Sequence, residues 1–433
     1  MADRPTSAQL AERCRTDGEF AMASRYWSGG IRFEIGGAAI GIQLVDGAVH
    51  ERTEPPAADD PGVITLAGDD ELWARMLAAV PERFFNDVAP ARRRGLDVRG
   101  DELLHWQYGP AVQRAVELLR RPDQERPAEA PASTGRPTDL VDTGPLPRFD
   151  HAVGRYVHVE LGGADHRVYF EEAGQGIPML LQHTAGSHGV QWRHLLECSA
   201  ITEHFRLIAY DLPFHGKSVP PTAREWWAEP YRLDGEFLRS VPLALADALA
   251  LDRPAFMGCS VGGLLALDLA ARHPDRFRAV ISLEGALRVG GDLDALKGFW
   301  HPAVSNETKA RMMAGLTAPT SPLPYVKETT QTYASGWPPA FLGDLWYYCV
   351  DYDLRELAAT IDTAQVGVHI MTGEYDYSAT LEHGRDAHDA IAGSTFTPMR
   401  GLGHFPMSEN PARFIEHLLP VLDRVRGARA PAG

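Results

Sequence analysis

Cysteine is scarce in this chain, positive charge is outnumbered, and no long apolar run occurs. The 433 residues include 4 cysteines, Cys14, Cys198, Cys259 and Cys349, with neither CxxC nor zinc-finger spacing. That pattern offers no disulfide framework and no structural zinc site, and it fits a reducing compartment. Lys and Arg total 42 against 58 Asp and Glu, for a formal net charge of -16. Such a balance disfavours binding to phosphate backbones or anionic membranes, which takes basic patches. The one basic cluster, Arg92-Arg93-Arg94, reads as solvated surface. No stretch reaches the length of a membrane span, and Met1-Ala2-Asp3-Arg4-Pro5 does not lead into an apolar core. The expectation is a soluble cytoplasmic protein with neither nucleic acid nor membrane as partner. HExxH is missing and the histidines are dispersed, so no metal is expected either.

What the chain does contain is Gly258-Cys259-Ser260-Val261-Gly262, preceded by the apolar run Pro254 to Met257 and followed by Gly263-Leu264-Leu265-Ala266-Leu267. A GxSxG between a strand and a helix can form a tight turn in which small flanking residues let the backbone hold the serine in a strained conformation. A serine hydroxyl is nearly inert at neutral pH and needs a base within reach, plus a carboxylate that orients the base. Both are available near strand ends further on. Asp376 follows the strand ending at Met371, and His404 follows the last strand in Gly401-Leu402-Gly403-His404-Phe405-Pro406. Glu374 and Glu284 compete with Asp376 as the acid, since acids from either strand end could reach a histidine. The neighbouring Cys259 reads as a packing residue, and His183, His188 and His215 read as loop-structuring or pocket-lining groups.

The chain divides at a segment rich in Pro, Ala and Thr. Residues 126–150 read as an extended linker between a domain at 1–125 and a larger one at 151–427. In the first, a helix is expected around Ala8 to Phe20, then strands Ile31 to Ile35 and Ala39 to Leu44 in an antiparallel meander with a third at Val63 to Leu66. Helices follow at Glu71 to Ala79, behind the capping Asp69-Asp70, and from Pro110, with Val112, Ala115, Val116 and Leu119 on one face. This is an α+β pattern. From Arg155 strands and helices alternate, as in a doubly wound, mostly parallel sheet. The insertion Leu287 to Leu354 carries Phe299-Trp300, Trp337, Phe341 and Trp346-Tyr347-Tyr348 and reads as a helical cap.

Over about residues 150 to 425, these features resemble the α/β-hydrolase superfamily. Besides the elbow, the carriers are Asp211-Leu212-Pro213-Phe214-His215-Gly216-Lys217-Ser218, and Gly403-His404 followed by Glu409-Asn410-Pro411. The resemblance implies Ser260 as nucleophile, His404 as general base and later acid, and Asp376 as the orienting carboxylate, with no cofactor. An acyl transfer also needs oxyanion donors. One is the N–H of Val261. The other belongs to the loop Gln182-His183-Thr184-Ala185-Gly186, where Thr184 replaces the family's usual glycine; Ala185 is favoured and Thr184 is the runner-up. Over about residues 5 to 122 the order of elements resembles sterol-carrier-protein-like domains, which implies an apolar ligand; a packing or homo-oligomerisation module is the competing reading.

His183, Trp226, Trp227, Trp300, Trp337, Trp346 and Tyr347 are the candidate substrate-binding residues, and large aromatics suit an apolar or aromatic small molecule. The expected function is cleavage of a carboxylic ester through an acyl-enzyme. A carbon-carbon bond hydrolase of ring-cleavage products is the enzymatic alternative, since those enzymes share the run Ser260-Val261-Gly262-Gly263. Relatives that act on haloalkanes or epoxides carry aspartate where this chain has Ser260. A non-catalytic carrier of apolar ligands is the reading from another class.

Overall fold

Thr6 opens the described chain with a capping box, its hydroxyl accepting from Gln9 N–H while the Gln9 side chain accepts from Thr6 N–H. In this computed structural model, residues 6–50, 54–120 and 149–427 are described, so the linker expected at 126–150 lies almost wholly outside them. They form two compact units, and His301–Gly315 belongs to the first one.

In the first unit the expected single helix is two: α1 (Ser7–Thr16) and α2 (Gly18–Ser24). Asp17 divides them because its carboxylate accepts the Phe20 N–H and caps the second helix. Strands β1 (Gly29–Ile35), β2 (Ala38–Val45), β3 (Ala48–Val49), β4 (Val63–Gly68) and β5 (Asp97–Arg99) form a sheet in the order β3-β2-β1-β4-β5. The meander extends only through β1, β2 and β3, because β4 runs parallel to β1. Helix α3 (Asp70–Met76) is capped by Asp69. Helix α4 (Glu102–Leu119) starts at the cap Asp101 rather than at Pro110, which lies inside it. The lost intrahelical bond is offset by burial of Val112, Ala115, Val116 and Leu119.

The segment His301–Gly315, expected within the cap, contributes the helix Asn306–Ala314 to this first unit. It buries Thr308, Lys309, Ala310 and Met313. Arg311 pairs with Glu117 of α4, and Asn86 Nδ2 donates to Gly315 O at 2.8 Å.

The second unit holds eight strands in the order β13-β12-β11-β10-β8-β9-β7-β6. A hairpin of β6 (Val153–Leu161) and β7 (Ala164–Ala173) forms one edge, and β7 pairs antiparallel with β9 (Phe205–Tyr210). The remaining pairings among β8 (Ile177–Gln182), β9, β10 (Ala255–Cys259), β11 (Ala279–Leu283), β12 (Gly367–Gly373) and β13 (Thr395–Met399) are parallel. Buried apolar runs such as Ala255 to Cys259 and Ala279 to Leu283 suit strands covered on both faces. The main helices are α5 (Gly235–Ala248), α6 (Val261–Arg272), α7 (Leu323–Ala334), α8 (Pro338–Trp346), α9 (Leu381–Ala390) and α10 (Pro411–Gly427). This is the α/β-hydrolase fold. After β8 the chain moves to one side of that strand and later returns to build β10 on the other, so the loops after β8 and β10 diverge at a switch point where such sheets bind ligands. Among the described residues no helix is long and apolar enough to cross a membrane.

Candidate active site

Ser260 sits between β10 and α6 with φ 58° and ψ -113°, a conformation that costs a side-chain-bearing residue roughly 1–3 kcal/mol. The neighbouring glycines make the turn sterically feasible. A Cβ on Gly258 would come 2.3 Å from Gly262 O, and one on Gly263 would come 2.1 Å from Leu283 O. Ser260 N–H donates to Leu283 O at 2.9 Å, which ties the turn to β11. Its side chain is buried but for 5% of the residue surface.

His404 and Asp376 approach from the loops after β13 and β12. His404 Nδ1 and Asp376 Oδ2 are 2.7 Å apart, and both residues are buried. Asp376 also accepts the N–H groups of Ser378 at 2.7 Å and Ala379 at 3.2 Å. The competing acids lie elsewhere. Glu374 accepts Gly401 N–H at 2.9 Å on the surface. Glu284 is fully buried, and both its carboxyl oxygens accept Gly373 N–H, at 2.9 and 3.0 Å. Burial and the adjacent Asp376 carboxylate push Glu284 well above the usual carboxylate range, which favours its protonated form beside Asp376.

The histidine loop is held from beneath. Cys259 Sγ donates to His404 O at 3.2 Å, so this thiol does more than fill space. Glu409 is fully buried and accepts Gly403 N–H, Ala318 N–H at 3.2 Å and Ser321 Oγ–H at 3.2 Å, all on Oε1. Burial pushes its carboxyl up to about 7.

In the loop after β8, Thr184 N–H donates to Gln191 Oε1 at 3.1 Å and Gly186 N–H to Asp344 Oδ2 at 2.7 Å. Ser187 N–H bonds back to Thr184 O at 3.3 Å. Ala185 N–H has no acceptor among the described residues, and neither does Val261 N–H in the first turn of α6. His183 is fully buried, with Nδ1 2.8 Å from Thr184 O and Nε2 3.1 Å from Leu212 N. Nδ1 therefore carries the proton while Nε2 accepts, and burial keeps this ring neutral by holding it well below the usual histidine range.

The candidate pocket aromatics scatter. Trp226 meets Trp337 edge-on at 5.5 Å, and Trp337 stacks on Phe214 at 5.8 Å. Trp227 and Trp300 are 64% and 49% exposed. Trp346 lies under the Arg232 guanidinium at 4.6 Å. Tyr347 points into the body, its hydroxyl donating to Asp268 at 3.1 Å. The aromatic that faces the serine is one residue on: Tyr348 has its phenol 3.0 Å from Ser378 Oγ, and Ser260 lies near enough to influence it. The π-helical turn Tyr347–Asp351 sets the directions of these two tyrosines, a feature with no signature in residue spacing. Asp344 likewise carries no motif of its own, and Glu409 stands in the run Glu409-Asn410-Pro411 without a role assigned to it.

A family model for the alpha/beta hydrolase fold matches residues 177–329. An uncharacterized protein of Mycobacterium tuberculosis is 25% identical over 288 residues, covering 62% of this chain and 80% of that protein. A 2-hydroxy-6-oxo-2,4-heptadienoate hydrolase of Pseudomonas putida is 32% identical over 165 residues, 36% of this chain and 54% of the enzyme. Among solved structures, a thermophilic esterase from Thermogutta terrifontis superposes with a TM-score of 0.54 at 19% identity, covering 63% of this chain and 99% of the esterase.

Proposed function

Because the chain is a hydrolase of the α/β-hydrolase fold, we propose that it cleaves a carboxylic ester of an apolar or aromatic small molecule through an acyl-enzyme on Ser260. The observation that carries this reading is the 2.7 Å contact of His404 Nδ1 with Asp376, in a site whose serine has the strained backbone of a nucleophile elbow. With Nδ1–H given to the carboxylate, Nε2 is left as the basic nitrogen. It takes the Ser260 proton as Oγ bonds to the ester carbonyl carbon. The oxyanion that forms is met by the Val261 and Ala185 N–H groups, neither of which has an acceptor among the described residues; Thr184 N–H is already spent on Gln191. His404 then protonates the departing alkoxide. In the second half it deprotonates a water that attacks the acyl carbon, and Ser260 leaves with the proton returned. No cofactor enters any step.

The likeness to the heptadienoate hydrolase favours a second reading, carbon-carbon cleavage at a vinylogous diketone by the same serine. One experiment separates the two: a chain-length series of p-nitrophenyl esters, an aromatic ester and a vinylogous diketone, assayed with wild type and Ser260→Ala. Ester turnover that vanishes in the variant is the expected result. Turnover of the diketone alone would replace the ester reading, and wild type that neither turns over any of them nor reacts with an organophosphonate would leave binding without catalysis.

A further inference from the structure

The described cap reaches the loop after β8 at several points, with Tyr333 bonding the Thr184 hydroxyl and Thr332 accepting Ser187 Oγ–H at 3.0 Å, and one of these contacts is a carboxylate. Asp344 lies on α8, is fully buried, and collects three donors. Oδ2 accepts Gly186 N–H at 2.7 Å and His215 Nε2–H at 2.8 Å, and Oδ1 accepts Tyr231 O–H at 3.1 Å. The other ring nitrogen of His215, Nδ1, is 3.0 Å from Pro213 O. Two nitrogens facing two oxygen acceptors is the arrangement of an imidazolium, so Asp344 and His215 form an enclosed ion pair. Burial opposes the charge on His215, but Asp344 outweighs it and the ring ends above its ordinary value.

The consequence lies at Ala185. The peptide before it is held by its carbonyl, since Thr184 O accepts from His183 Nδ1 and Ser187 N. The peptide after it is held by its N–H, since Gly186 N donates to Asp344. With both flanking peptide planes pinned, Ala185 N–H must point opposite to Thr184 O, and it has no acceptor among the described residues. Gly186 has φ +65°, and a Cβ there would come 2.8 Å from Phe341 Cα, so α8 lies hard against the loop at this point. Phe341 and Asp344, three residues apart on one helix face, together clamp Gly186.

We infer that Asp344 is a positioning residue for oxyanion stabilisation: the cap, through this carboxylate and His215, holds the loop so that Ala185 N–H is aimed before substrate arrives. The inference rests on the acyl-enzyme reading. Preorganised donors act on the transition state more than on the bound substrate, so loss of Asp344 acts on kcat rather than on KM.

The experiment measures p-nitrophenyl ester kinetics of wild type, Asp344→Ala and Asp344→Asn, with rates divided by the concentration of sites an organophosphonate labels. Affinity for a trifluoromethyl ketone, which forms a tetrahedral oxyanion adduct, is compared with affinity for the product acid. The expected result for Asp344→Ala is a kcat per labelled site roughly 100-fold lower, KM within about threefold, and a comparable loss in ketone affinity with product affinity unchanged. Asp344→Asn keeps an oxygen for Gly186 and His215, and recovers kcat to within about tenfold of wild type. Should Asp344→Ala fail to fold, the Asn variant's ketone-to-product affinity ratio decides, a loss being expected and no change overturning the inference. Equal losses in ketone and product affinity, or unchanged kcat per labelled site, would also overturn it. Wild type that is not labelled at Ser260 would overturn the acyl-enzyme reading itself.

Discussion

Asp376 and Glu284 follow neighbouring strands, and of these two carboxyls it is Asp376 that bonds His404. Glu284, pushed upward by burial and by Asp376, stands behind its neighbour with its protonated form favoured. Asp376→Asn is therefore expected to lower kcat by roughly 10³–10⁴, because the histidine loses the partner that holds its tautomer. Glu284→Gln keeps a donor for Asp376 and an acceptor for Gly373, and is expected to lower kcat less than about tenfold. Steady-state ester kinetics decide, and equal losses would make the two acids one functional unit. Glu409 belongs to the same scale. The folded protein keeps its proton up to about 7, while the unfolded chain releases it near 4.5. Its contribution to stability is thus fully present below pH 4.5 and is lost as pH rises to about 7, a change on the order of 3 kcal/mol. Denaturant melts of wild type and Glu409→Gln across pH 4 to 8 check this: the difference between the two should narrow toward high pH, and a constant difference would count against it.

Among the elements, the turn Tyr347–Asp351 shows where spacing stops being informative. The run Trp346-Tyr347-Tyr348 marks an aromatic stretch of the insertion, but which ring meets Ser260 depends on the π turn. Tyr347 spends its hydroxyl on Asp268, beside Arg239, whereas Tyr348 spends its own on Ser378, near Ser260. Tyr347→Phe is expected to cost about 1 kcal/mol of stability and leave ester turnover within twofold. Tyr348→Phe is expected to change kcat/KM severalfold with little change in melting. Paired thermal melts and kinetics test the division, and the reverse pattern would refute it. Other elements were legible because their signals are local. Asp69 caps a helix, and Gly36-Gly37 turns β1 into β2 at φ 53° and 86°. Pro110 misled because its missing N–H reads as a helix start, yet tertiary burial carried α4 through it.

For the whole molecule, the insertion between β11 and β12 does not stay with the sheet that bears it: His301–Gly315 packs in the first unit. Its anchor is the Arg311–Glu117 pair, 15% and 26% exposed, with Arg114 adding Glu117 at 3.0 Å and Asp17 at 2.6 Å. Arg311→Ala leaves Glu117 short of a partner, and a loss of about 3 kcal/mol is expected in denaturant unfolding. Deleting residues 1–125 removes the core against which Thr308, Ala310 and Met313 are buried. The truncated chain is expected to expose that helix and aggregate or lose ester turnover; a monodisperse product with wild-type rates would show that the segment finds cover without the first unit.

The alternation of strands and helices, the tight turn at Ser260, and the candidate serine, histidine and acids follow from the sequence alone, because apolar runs, close glycine contacts and residues just past strand ends act over short distances along the chain. Gly258, Gly262 and Gly263 could be nothing larger, and that constraint is written in the residues themselves. The choice among Asp376, Glu284 and Glu374, the aim of Ala185 through Asp344, and the unit to which His301–Gly315 belongs depend on contacts between residues far apart in the chain. Burial and charge pairing there depend on packing, which residue spacing does not encode.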